Sequence, residues 1–153
     1  MGYRKNYNMY QALLSLFSLH NETMNIWSHL IAFVCTMIAG LSVAMEYQAE
    51  SVALPERLCL AIYILSACTC LLCSAIYHWF SCVSESHYYY YLKLDLTGIA
   101  ILIAGSFFPA TYYGFYCTPG LQKIYMTVAT LILVIGRRLV TIDISNSLMQ
   151  ALW

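Results

Sequence analysis

The sequence predicts an all-α protein, a polytopic bundle of membrane-spanning helices. Hydrophobic residues make up 61% of the chain and charged residues only 9%, whereas about a quarter of the residues of soluble domains are charged. Four apolar segments approach the roughly 20 residues that a helix needs to cross a bilayer. Short connectors with charged or turn-forming residues separate them. Seven basic and seven acidic residues balance each other, so the net charge does not point to nucleic acid as a partner.

The individual elements follow from the local sequence. In an N-terminal segment, residues 1–25, apolar side chains recur at helical spacing, which predicts a short amphipathic helix that either lies on the membrane surface or packs on other protein. These side chains are Met9, Tyr10, Leu13, Leu14 and Phe17. The membrane domain, residues 26–136, contains predicted spans at about 26–45, 58–78, 96–116 and, more weakly, 120–136. The first span begins too late and is too long for a cleavable signal peptide. Residues 137–153 form a divergent, cytoplasmic tail.

Basic residues near the ends of the predicted spans indicate the orientation, because lysine and arginine favour the cytoplasmic side. With a cytoplasmic N-terminus, that side holds five basic residues and the other side holds two. The five are Arg4, Lys5, Lys93, Arg137 and Arg138, and the two are Arg57 and Lys123. Asn21 begins an Asn-Glu-Thr glycosylation pattern. In this orientation Asn21 faces the cytosol and is expected to stay unmodified.

A polar stripe enters the first predicted span. On a helix, where residues three and four apart share a face, Glu22, Asn25, Ser28 and His29 fall on one side, and small residues continue it inward. Such a stripe is expected to face other helices, with Trp27 pointing elsewhere, at the level of the lipid headgroups. The stripe either supplies interhelical hydrogen bonds alone or takes a direct part in function.

A second group of polar residues lies near the same membrane boundary. Ser74 and His78 share one face at the end of the second span, and Asp95 stands at the edge of the third. Ionisable groups within spans are unfavourable in hydrocarbon and face the protein interior or a cavity. These side chains either form part of a metal or acid–base site or only fix the packing of helices.

Three stretches of the chain, in order, resemble the motifs of a known family. They are NETMNIWSH at residues 21–29, SAIYH at 74–78, and LDLTG at 94–98 followed by GSF at 105–107. Together they resemble the progestin and adipoQ receptor family. The resemblance implies a seven-helix membrane fold with a cytoplasmic N-terminus, of which this chain contains about four spans.

The resemblance also implies a function and a cofactor. By similarity, His78 is a Zn²⁺ ligand, and Ser74 and Asp95 hold a zinc-bound water. Residues 2–4, 72–82 and 115–117 are most similar to a Golgi-resident member that sequesters Raf kinase. The expected function is therefore a Golgi receptor or scaffold for a cytosolic kinase, with the plasma membrane as the alternative location.

Two other functions remain open at this point. One is a zinc-dependent hydrolase of a lipid amide such as ceramide, acting on a lipid ligand, and the other is an inert truncated isoform. The family completes its zinc site with a His-x-x-x-His pattern in its last span, whereas the histidines of this chain, at 20, 29, 78 and 87, include no such pair. The chain is therefore expected to correspond to the N-terminal half of such a protein and to hold an incomplete zinc site.

Overall fold

The fold contains three long helices, each of which runs antiparallel to the next along the chain, preceded by a short helical segment. A computed structural model describes residues 2–132, 134 and 135. The short helix α1 (Met9–Leu14) continues into a 3-10 turn (Ser15–Phe17), and the long helices are α2 (Thr23–Ala49), α3 (Leu54–Phe80) and α4 (Glu85–Gly114). Residues 119–132 are also helical. The predicted all-α class is confirmed.

Each long helix is long and apolar enough to cross a membrane, and the described residues contain three such helices. Helices α2 and α3 contain the first two predicted spans, and α4 contains the third except for residues 115 and 116, which lie in a turn. Helix α4 begins at Glu85, well before the predicted start at residue 96, because the Ser84 side chain caps it by accepting a hydrogen bond from the backbone N–H of His87. Of the fourth predicted span, residues 120–132, 134 and 135 are helical. The rest of that span, and the tail at 137–153, lie outside the described residues.

Small residues set the distance between the long helices. A Cβ atom added to Gly98 of α4 would lie 2.9 Å from the Cα atom of Cys70 in α3, and one added to Gly105 would overlap the side chain of Ser66. On the other side of α3, a Cβ at Gly40 of α2 would lie 2.6 Å from Ile64 Cγ2. Close backbone approach at glycine is typical of helices that pack within membranes. Gly98 lies against Cys70, and α3 and α4 run in opposite directions. Asp95, three residues before Gly98, is therefore at the level of Cys73 and Ser74, three and four residues after Cys70.

The N-terminal segment packs against the end of α3. The buried guanidinium of Arg4 donates hydrogen bonds to the carbonyl oxygens of His78 at 2.7 Å and Trp79 at 3.0 Å. The indole N–H of Trp79 donates in return to the carbonyl of Ala12 at 2.7 Å, and Ala12 is completely buried. The segment is therefore held on protein through one side. Its other side exposes all five apolar side chains that predicted the amphipathic helix: Met9, Tyr10, Leu13, Leu14 and Phe17.

Candidate functional site

The centre of the candidate site is an ion pair between α3 and the residue that precedes α2. Nδ1 of His78 lies 2.9 Å from Oε2 of Glu22. The two side chains are 22% and 27% exposed, so water reaches the pair only in part. The contact is an ion pair when the imidazole is protonated. In the neutral tautomer that carries its proton on Nδ1, the same hydrogen bond is made and Nε2 is free to bind a cation.

Glu22 also accepts hydrogen bonds from its neighbours. Nδ2 of Asn25 donates to the same oxygen at 2.8 Å, and Nδ2 of Asn21 donates to Oε1 at 2.7 Å. Burial raises the pKa of the Glu22 carboxyl, but the hydrogen bonds from Asn25 and His78 and the charges of His78 and Arg4 outweigh burial and hold this pKa below its usual value. Glu22 is thus a carboxylate at neutral pH. Its oxygens are occupied here, so it makes no side-chain cap at the start of α2.

His29 lies beside the pair, one helix over. Its ring centroid is 5.8 Å from that of His78, at an interplanar angle of 65°. Its Nδ1 atom is buried and has no hydrogen-bond partner among the described residues. Buried ring nitrogens usually have a partner, so this atom is an unsatisfied polar group next to the ion pair.

Ser74 and Asp95 lie deeper in the bundle than His78. Ser74 is buried, at 7% exposure, one helical turn before His78, and Asp95 is half-buried at a similar level on α4. Among the described residues the ion pair of His78 is made with Glu22. The three helices therefore bring all the sequence-predicted residues to one end of the bundle, but Asp95 is not the direct partner of His78.

The polar stripe of α2 divides into two parts. Glu22 and His29 lie against His78, whereas Asn25 and Ser28 are exposed. The hydroxyl of Ser28 donates to the carbonyl of Asn25 in its own helix, at 3.1 Å. Trp27 points away from the site, and its indole N–H donates to the carbonyl of Leu16 at 3.0 Å.

Two buried polar residues at this end of the bundle were not singled out by the sequence. Arg4 holds the last turn of α3, which carries His78. His20 is also buried, with Nε2 donating to the carbonyl of Ser15 and Nδ1 accepting from the backbone N–H of Glu22, each at 3.1 Å. Burial and the charge of Arg4 lower the pKa of His20. The sequence signal was weak: His20 directly precedes the NETMNIWSH stretch, and Arg4 is one of the few charged residues of the N-terminal segment.

The described residues do not fit a complete zinc site. A catalytic zinc site needs three protein ligands and an open position for water. His78 offers one imidazole, oriented by the Glu22 carboxylate in the manner of many metal-binding histidines. In the part of the chain that the structure describes, no group of three or more His, Cys, Asp or Glu side chains could hold a metal ion.

Comparisons with known proteins agree with the fold. The chain matches the family described as haemolysin-III related over residues 17–152. It is 35% identical over 136 residues to heptahelical transmembrane protein 1 of Arabidopsis thaliana, a match that covers 84% of this chain and 40% of the relative. It is 36% identical over 121 residues to the adiponectin receptor protein of Drosophila melanogaster, covering 77% of this chain and 26% of the relative.

A third relative carries the name that the sequence motifs predicted. Progestin and adipoQ receptor family member 3 of Homo sapiens is 34% identical over 137 residues, which are 88% of this chain and 44% of the relative. The chain thus spans about half the length, or less, of the curated relatives it matches. Its resemblance to progestin and adipoQ receptors is confirmed. The chain belongs to the haemolysin-III-related family, as a multi-pass integral membrane protein of the progestin and adipoQ receptor type.

Proposed function

We propose that the protein is a Golgi membrane receptor or scaffold that holds a cytosolic signalling kinase of the Raf type at the membrane. The proposal rests on the resemblance of the sequence motifs to a Golgi-resident, Raf-sequestering member of the family. The 34% identity to progestin and adipoQ receptor family member 3 supports the same choice within the family. The structural observation that carries it is the fixed N-terminal segment, which offers a partner a preformed surface.

The fixed segment has an exposed polar surface next to its anchor. Arg4 and Trp79 hold the segment on α3, and the backbone N–H of Tyr7 donates to the carbonyl of Cys82 at 3.3 Å. Four polar side chains are exposed along it, and we call them the Lys5–Gln11 surface: Lys5, Asn6, Asn8 and Gln11. Asn8 and Gln11 hold each other in a capping box at the start of α1. A partner that binds this surface therefore meets two side chains, Asn8 and Gln11, that are already ordered, which lowers the entropy lost on binding.

A cytoplasmic N-terminus is part of the proposal. The excess of basic residues at this end of the spans supports it. The N-terminal segment and the connector between α3 and α4 lie at the same end of the bundle, as the contact between Tyr7 and Cys82 shows. In this orientation the Lys5–Gln11 surface faces the compartment that contains the kinase.

The test is to express the chain with a fluorescent tag at its C-terminus, together with a differently labelled Raf kinase. We expect the chain to coincide with a Golgi marker and to draw the kinase to that membrane. Lys5→Glu is expected to weaken this recruitment. Lys123→Glu is the matched control, since Lys123 is also an exposed lysine but lies beyond α4. A kinase that stays cytosolic beside a correctly placed chain, or an equal effect of both variants, would contradict the proposal.

A second candidate function is the hydrolysis of a lipid amide by the full-length protein. The observation that favours it is the His78–Glu22 pair, with buried Ser74 and half-buried Asp95 behind it. Further ligands from outside the described residues would have to complete the metal site. The test is the release of fatty acid from ceramide by the purified protein, compared with His78→Ala, and no difference between the two would remove this candidate.

A further inference from the structure

The turn that joins α1 to α2 presents two large apolar side chains away from the protein. Phe17 is 81% exposed and Leu19 is 87% exposed. The residues on either side of the turn are fixed, because Ser15 and His20 are buried against the N-terminal segment. We call residues 16–19 the apolar turn. An ordered turn that holds two such side chains outward is unusual for a surface in water.

Three backbone carbonyl groups around the apolar turn, those of Ser15, Leu16 and Ser18, are already hydrogen-bonded. The carbonyl of Ser15 accepts from the backbone N–H of Ser18 at 3.0 Å, and the carbonyl of Leu16 accepts from the indole of Trp27 at 3.0 Å. The carbonyl of Ser18 accepts from the hydroxyl of Thr23 at 3.1 Å. Backbone groups without partners are strongly unfavourable in lipid. For these three groups the cost of placing the turn among lipid molecules is therefore removed.

The apolar turn also continues an exposed apolar stripe on the first span. Large side chains on α2 are exposed at every third or fourth residue, which places them on one side of the helix. They are Met24, Trp27, Ile31, Val34 and Ile38. The bond from Trp27 to Leu16 joins the stripe to the turn at the end of the span, the level where tryptophan is enriched in membrane proteins.

From these observations we infer that the apolar turn inserts into the membrane at the boundary between headgroups and acyl chains. Phe17 and Leu19 are the inserted side chains, and the occupant of this surface is lipid. The inserting element is the turn, whereas α1 itself is held on α3 through Ala12. The inference does not depend on the proposed kinase or on the orientation of the chain.

The experiment is photochemical cross-linking in lipid nanodiscs. The photoreactive amino acid benzoylphenylalanine replaces Phe17 in one sample, Leu19 in a second and the exposed, charged Lys5 in a third. After irradiation, mass spectrometry of the intact chain separates addition of one phospholipid from cross-links to a second copy. We expect lipid addition at positions 17 and 19, at least several-fold above that at position 5.

The other outcomes would overturn the inference. Cross-links at positions 17 and 19 to a second copy of the chain would show that protein covers the turn. Equal lipid addition at all three positions, or none at 17 and 19, would show that the turn is not inserted. The α-helical circular dichroism of each sample establishes that the spans are folded.

Discussion

Arg4 offers the sharpest test of how the N-terminal segment is attached to the membrane domain. Its guanidinium donates to the hydroxyl of Ser15 at 2.7 Å as well as to the two carbonyl groups at the end of α3. Arg4→Ala removes all three bonds and the positive charge near the negative end of the α3 dipole. We expect the N-terminal segment to separate from α3 while the three spans stay folded.

The expected effect can be estimated from the bonds. Hydrogen bonds to charged groups contribute about 1.5–3 kcal/mol each, and the unfavourable burial of the guanidinium offsets part of that total. We therefore expect the docking free energy to fall by about 3 kcal/mol, which is roughly a 100-fold increase in the undocked population. The undocked population of Arg4→Lys is expected to lie between those of the parent chain and Arg4→Ala, because one ammonium group cannot match a guanidinium that reaches three acceptors.

Hydrogen exchange of the chain in nanodiscs measures this population directly. Peptides that cover α1 and the 3-10 turn should exchange faster in Arg4→Ala, whereas peptides from the contact between Gly40 and Ile64 should not change. Arg57→Ala is the matched control, since the Arg57 side chain makes one hydrogen bond to the described residues, from Nε to the carbonyl of Val52 at 2.7 Å, outside the N-terminal segment. Unchanged exchange in α1, or an equal acceleration throughout the spans, would refute the role assigned to Arg4.

Four further predictions follow from the packing, the pKa shifts and the charge distribution. Gly98→Val forces α3 and α4 apart and should lower stability by about 1–3 kcal/mol, which is measured as a lower melting temperature in detergent. Gly114→Val is the control and should have a much smaller effect, because a Cβ added to Gly114 has nothing within 4 Å. The fold lowers the pKa of His20 from its ordinary 6.5, so the unfolded state binds the proton more readily and stability should decrease as pH falls below about 6.5. The melting temperature of His20→Gln should depend less on pH over that range. An unchanged pH dependence would show that His20 is not the group responsible. Elemental analysis should find well under one zinc per purified chain, because the described residues lack a group of three ligands; near-stoichiometric zinc that disappears in His78→Ala would prove this wrong. A protease should digest a tag at the N-terminus only after the membrane is permeabilised, and Asn21 should carry no glycan. A glycosylated Asn21 would show that the N-terminus faces away from the cytosol.

Local sequence was enough to predict the all-α class of the protein and three long apolar helices, although not where α4 begins. A helix needs roughly 20 apolar residues to cross a bilayer, and whether a segment meets this requirement depends only on its own residues. The same holds for the apolar spacing that predicted the short helix at α1. The alignment of Gly98 and Gly105 on one side of their helix could also be predicted, because helical periodicity fixes it.

Tertiary structure alone decided which groups meet. His78 and Glu22 are 56 residues apart, and their contact depends on how far α2 and α3 slide along each other, which the contact at Gly40 helps to set. The sequence instead suggested Asp95 as the acidic neighbour of His78, because both lie near one membrane boundary. Helical periodicity orients side chains within one helix, but it carries no information about the register between two helices. The burial of Arg4 could not be predicted for a related reason. Two of its acceptors are backbone carbonyls of α3, and every residue has a backbone carbonyl, so the sequence does not indicate which of them accept a hydrogen bond.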